Sequence, residues 1–165
     1  MVVDLAPVSP RSAMRARSAS LCGMSDQCVF CDIVAGELPS VTVAENDATY
    51  AFMDIHPATA GHLLVVPKRH SRDLFDIPAD DLSAVTLAAQ RIARVTVAQL
   101  GADGVNLLNC CGTEAWQTVF HFHLHVIPRY ADRDKDQLVL PWEPGTQADT
   151  EVMAAHGQRI AAALE

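Results

Sequence analysis

The chain has 165 residues, enough for one domain with a core of its own, and half of them are hydrophobic. No apolar run approaches the ~18 residues of a membrane span, which argues against a membrane protein. A net charge of −8, from 12 basic and 20 acidic residues, shows no basic patch for nucleic acid and leaves any anionic ligand to local donors. The five cysteines, at positions 22, 28, 31, 110 and 111, are odd in number and unevenly spread. They argue against a secreted disulfide framework and for a reducing, cytoplasmic setting.

Residues 1–24 are rich in Ser, Ala and Pro, carry Arg11, Arg15 and Arg17, and lack the apolar stretch of a secretory signal. They are expected to be a disordered tail, with Met24 an alternative start. A domain is expected over 25–131, followed by a tail and helix over 132–165. Cys28-x-x-Cys31 opens the domain and reads as a redox pair, as half of a zinc site, or as a pair with no joint role. A short helical turn closed by Gly36 follows.

Strands are predicted over 41–44 and 49–53, joined as a hairpin by Asn46-Asp47. Asp54 leaves the second strand as a turn residue or a ligand for a sugar diol. The run 61–67 is nearly all apolar and predicts a central strand, with His62 at its start and Lys68-Arg69-His70 on the loop beyond. One long helix is predicted over 78–100. There Leu82, Val85, Ala89, Ile92 and Thr96 recur at helical steps, with Asp80 and Asp81 in the first turn and Gly101 as C-cap. A fourth strand over 104–108 leads into a loop, 109–116, whose backbone N–H groups suit an oxyanion.

The stretch 117–129 alternates imidazole and apolar side chains and predicts a half-buried strand. His121, His123 and His125 then share a face at about 6.6 Å intervals. Phe120, Phe122, Leu124 and Val126 point into the core, and Pro128 ends the ladder. Three imidazoles in a row suit a nucleophile, a proton carrier or metal ligands at neutral pH. After an irregular segment containing Trp142, residues 149–164 have helical character. Strands, one helix, strands and a terminal helix make an α+β fold on an antiparallel sheet of about five strands.

His-φ-His-φ-His-φ-φ after Gln117-Thr118 resembles the signature of the histidine triad (HIT) superfamily, in its zinc-bearing, Hint-like branch. So do Cys28-x-x-Cys31, Phe52-Met53-Asp54-Ile55, Gly61-His62 and Pro67-Lys68-Arg69-His70, in the same order. The resemblance implies a HIT-like fold and a nucleotide hydrolase or transferase working through a covalent nucleotidyl-histidine. His123 would attack the α-phosphorus of a purine nucleoside phosphoramidate and release AMP or GMP. His125 would serve the phosphoryl oxygens and leaving group, with His121 completing the row and His62 buttressing it. Thr118, Gln117 and Asn109 would lie at the phosphate. Phe30, Ile33, Phe52 and Ile55 would form the base slot, with Asp54 on the ribose. Cys28, Cys31, His70 and His121 would hold a structural Zn²⁺, and the protein would be a homodimer.

Three positions depart from the family pattern. Cys110 stands where relatives usually carry asparagine, Trp116 where they carry glycine, and His56 where they carry asparagine. Three rival functions remain open: a diadenosine polyphosphate hydrolase, a zinc hydrolase with the triad on the metal, and a nucleotide-binding module with incidental turnover.

Overall fold

The computed structural model describes residues 28–139, 145 and 147–165, so the expectations for the N-terminal tail and Trp142 lie outside the described residues. Along the chain the elements are α1 (Val29–Ala35), β1 (Thr42–Glu45), β2 (Thr49–Met53), β3 (Leu63–Pro67), α2 (Ala79–Leu100), β4 (Gly104–Leu108), a 3₁₀ turn (Thr113–Ala115), β5 (Leu124–Arg129) and α3 (Thr150–Leu164). The strands form one antiparallel sheet in the order β1-β2-β3-β5-β4. The predicted α+β architecture is the one observed, and β3 is central.

Asn46 closes the hairpin by accepting the N–H groups of Ala48 and Thr49, each at 2.8 Å. Pro78 stands as the N-cap of α2, one residue before the first turn in which it was expected. The alternation of β2 and β3 explains their continuous apolar run, because both faces are covered. Ala51, Leu63 and Val65 pack with Val85 and Ala89 of α2, whereas Tyr50, Phe52, Leu64 and Val66 pack with Phe30 of α1. Each such side chain contributes roughly 1.5–3 kcal/mol on full burial. Gly61, at φ 83°, leads into β3, and a Cβ there would collide with Leu100 Cδ1 at the end of α2.

The histidine segment needs three corrections. Its ladder starts only at Leu124, because the register Val65↔Leu124 continued backward sets Phe122 opposite Pro67, which has no N–H to give. The Phe122 N–H goes instead to the Ser71 carbonyl at 2.6 Å. Pro128 sits inside β5 opposite Val105 and does not end it. Its carbonyl accepts from Thr59 Oγ1 at 2.6 Å, so its missing N–H falls on the side away from β4. Phe120 is not core: it is 38% exposed, with the Arg72 guanidinium 5.0 Å above its ring. The alternation survives from residue 121 onward, with Phe122, Leu124 and Val126 in the α2-side core and the histidines on the α1 side.

Beyond β5 the buried Asp136 carboxylate ties the chain back. It accepts from Arg129 Nε at 2.6 Å and from the N–H groups of Tyr130 and Leu138. The Arg129 hydrogen bond holds its pKa down to about 2. Stability from this group is therefore present above the ordinary value of 3.8 and is lost as pH falls through about 2. In α3, Asp149 caps the first turn through the N–H groups of Glu151 and Val152.

Candidate active site

The end of β3 and the start of the histidine segment meet α1, and that junction sorts the three imidazoles into different roles. His121 is fully buried. Its Nε2–H donates to the Pro67 carbonyl at 2.9 Å, which leaves the Nδ1 lone pair facing Cys28 Sγ at 3.4 Å and Cys31 Sγ at 3.6 Å. His70 Nδ1 lies 3.4 Å from Cys31 Sγ, and one ligand atom from each of the four residues lies within 4.8 Å of the others. Tetrahedral zinc with Zn–S near 2.3 Å and Zn–N near 2.0–2.1 Å has S···N edges of about 3.5 Å. The donor set fits a closed Cys2His2 ion, and the Pro67 carbonyl fixes the tautomer that such a ligand needs. None of the four described cysteines is disulfide-bonded.

His123 is turned the other way. Its Nδ1–H donates to the His121 carbonyl at 2.7 Å, so the Nε2 lone pair is left for chemistry. Burial is the main influence that pushes its pKa below 6.5, partly opposed by the His121 carbonyl and Asp54, so the ring is neutral at pH 7. The Phe30 ring stands edge-on at 5.2 Å. Asn109 Nδ2 donates to the His123 carbonyl at 2.9 Å, and Asn109 Oδ1 is buried with no hydrogen-bond partner.

A chain of bonds also sets the tautomer of His125. The Ala58 N–H donates to His62 Nδ1 at 3.1 Å, which puts the His62 proton on Nε2. That proton is given to His125 Nδ1 at 2.9 Å. His125 must then carry its own proton on Nε2, as a donor. Burial, with the neighbouring His123 and His62, pushes its pKa down to about 4. Asp54 Oδ2 lies 3.6 Å from His62 Nδ1, while its Oδ1 accepts the His56 N–H at 2.8 Å. Asp54, His62 and His125 thus form one cluster.

The remaining expected residues divide. Phe30 and Phe52 pack edge to face at 5.5 Å, and Ile33 joins their cluster. Ile55 is 84% exposed and stands outside that cluster. Gln117 is buried and committed to its loop. Its Oε1 accepts the Gly112 N–H at 2.7 Å and its Nε2 donates to the Arg72 carbonyl at 2.8 Å, so both ends are engaged within the protein. Thr118 is exposed. Cys110 is buried and its pKa is raised by burial, so it is a neutral thiol rather than a nucleophile. A cavity of about 420 Å³ opens on the other face of the sheet, between the hairpin and α2, away from every histidine of the row.

Two backbone partners are not carried by the motif: the Pro67 carbonyl on His121 and the Ala58 N–H on His62. Their only signal is register, which side-chain identity does not carry. Asn109 was expected at the phosphate, and its hold on the His123 carbonyl follows only from where β4 ends.

An imidazole with one nitrogen pinned and the other open, beside an imidazole donor and a separate Cys2His2 cluster, defines a histidine-triad protein. The family model of the HIT domain matches residues 35–132, and the chain belongs to the HIT family. It is 48% identical to a HIT-like protein of Mycobacterium tuberculosis over 61% of this chain and 70% of that protein. It is also 35% identical to the adenosine 5'-monophosphoramidase HNT1 of Saccharomyces cerevisiae, over 84% of this chain and 83% of that one. Among solved structures, a Zn-bound histidine triad family protein from Mycobacterium smegmatis is 40% identical. It superposes with a TM-score of 0.64, covering 82% of this chain and 96% of its own.

Proposed function

We propose that the protein is a nucleotide hydrolase that cleaves purine nucleoside phosphoramidates through a nucleotidyl group on His123, releasing AMP or GMP. The observation that carries this is the Nδ1–H bond from His123 to the His121 carbonyl at 2.7 Å, which leaves Nε2 as the attacking atom. In the first step His123 Nε2 bonds to the α-phosphorus as the P–N bond to the leaving amine breaks. Held in its Nε2–H tautomer by His62, His125 donates a hydrogen bond to the departing nitrogen, and the amine takes its proton from solvent, so neither ring is left an imidazolate. In the second step water attacks phosphorus and the bond to His123 breaks. The water proton passes to solvent, His123 recovers its free Nε2 lone pair, and a nucleoside monophosphate leaves.

Phe30 and Phe52 would take the base and Asp54 the ribose diol. A Zn²⁺ bound by Cys28, Cys31, His70 and His121 would tie α1 to the catalytic segment, and no step passes through it. The likeness to the yeast phosphoramidase supports the substrate class. A homodimer joined at the β4 edge accords with the exposure of Leu107 and Leu108 there. The cysteine pair of the metal cluster suits a reducing, cytoplasmic setting.

A diadenosine polyphosphate hydrolase would use the same attack and differ only in the leaving group. A binding module with incidental turnover would accumulate no intermediate, and mass spectrometry of the enzyme caught during turnover separates it from a hydrolase.

The pH profile follows from the lowered histidine pKa values. His123 must be neutral to attack and its pKa lies below 6.5, while His125 ionises only near 4. The acid limb of kcat/KM is therefore expected below that of a free imidazole, at pH values under 6.5. Stability has the same sign: the unfolded chain takes up protons first, so acid favours unfolding as pH falls from 6.5 toward 4. A pH–rate series on the metal-loaded protein reads the first expectation directly.

A further inference from the structure

We propose that Trp116 is a stacking platform for the leaving group, and that the preferred substrates carry a planar aromatic ring beyond the scissile bond. The inference rests on the function proposed above and names the substrate class within it. Trp116 has φ 68°, and it is the only non-glycine residue at positive φ among the described residues. It closes the 3₁₀ turn in the position where glycine is at ease. Its own N–H reaches the Thr113 carbonyl at 3.0 Å, and the Gln117 N–H reaches the Gly112 carbonyl at 3.1 Å. A strained large residue needs a reason outside the turn.

Packing does not supply that reason. The ring is 63% exposed and belongs to neither core cluster. Its place does. The loop that carries it is fixed at one end to the catalytic segment, by Asn109 on the His123 carbonyl at 2.9 Å, and at the other to the loop after β3, by Gln117 on the Arg72 carbonyl at 2.8 Å. Phe120, also exposed, lies four residues on with the Arg72 guanidinium at 5.0 Å, so the loop offers further ring and cation surface. Trp116 is not in the cluster of Phe30 and Phe52 proposed as the nucleoside slot, where Phe30 stands edge-on to His123 at 5.2 Å. In-line displacement sends the leaving group away from the nucleophile. A planar ring there gains stacking on an indole face that already stands clear of the core.

Two kinds of leaving group offer such a ring, an arylalkyl amine and the second nucleoside of a dinucleoside polyphosphate. The test compares one nucleoside phosphoryl group on three leaving groups: an aliphatic lysine-type amine, a tryptamine-type amine and a nucleoside polyphosphate. Trp116→Gly is expected to lower kcat/KM on the aromatic substrates by about tenfold. The aliphatic one should hold within about twofold, and Trp116→Phe should recover most of the loss. The aromatic substrate that loses more identifies the source of the ring. Glycine takes this backbone conformation without strain, so Trp116→Gly should melt no lower than the wild type. Equal losses on all three substrates, or no loss on any, overturn the proposal and leave the His123 mechanism standing. A wild type inert on all three overturns both.

Discussion

His123→Ala is expected to abolish turnover, by roughly 10⁴-fold or more, in a protein that still folds and keeps its metal. The size follows from the role: without the imidazole no nitrogen can bond to phosphorus, and only binding and general polarisation remain. The retained metal follows from the geometry. The four clustered donors come from Cys28, Cys31, His70 and His121, and the side chain of His123 is not among them. The substitution leaves the His121 carbonyl without the Nδ1 donor that reaches it at 2.7 Å, which costs about 1–3 kcal/mol. Stability should fall modestly, then, while activity disappears. Metal analysis with steady-state kinetics on the same preparation checks both halves. A catalytic-zinc hydrolase would reverse the pattern, losing metal together with the triad ring.

Removing the metal should do the converse. Cys28 is the N-cap of α1 and His121 sits 93 positions later, so an ion between them closes most of the domain into one loop. A site occupied at about a thousandfold over its dissociation constant adds about 4 kcal/mol. For a domain of this size that is roughly 10–20 °C in melting temperature. Chelation, or Cys31→Ser, should lower the melting temperature by that amount, while molecules still folded at low temperature keep most of their turnover. Thermal melts with and without chelator, paired with assays well below the apo transition, separate stability from chemistry. A chelator that stops turnover at once without moving the melt would put the metal in the reaction itself.

Most of the scaffold could be read from side-chain periodicity, because burial alone dictates it. The 49–53 and 61–67 runs are apolar on both faces and lie second and third in the sheet, and the Leu82-to-Thr96 stripe of α2 covers one side of it. The histidine row was legible for the same reason, since its alternation places imidazoles opposite Phe122, Leu124 and Val126. Less legible were features that depend on which backbone group a residue meets. Pro67 interrupts the ladder of the histidine segment from across the sheet, and Pro128 is tolerated in β5 because its carbonyl side faces Thr59. Neither follows from the local string. Gln117 and Ile55 diverged from expectation because a motif gives an identity without a rotamer or an exposure. The Gln117 amide is consumed by its own loop, and Ile55 points outward. The division of labour among the histidines came from the motif, whereas the tautomers behind it depend on the Pro67 and His121 carbonyls and the Ala58 N–H, which only the register brings into place.

The central claim is that His123 Nε2 bonds to phosphorus during turnover. Acid quenching of the metal-loaded enzyme with a nucleoside phosphoramidate, followed by peptide mass spectrometry, tests it directly. The account predicts a nucleoside monophosphoryl adduct on the peptide carrying His123, absent from the His123→Ala protein and formed no more slowly than product appears. Product released with no adduct at any quench time, or an adduct on a different residue, would contradict it.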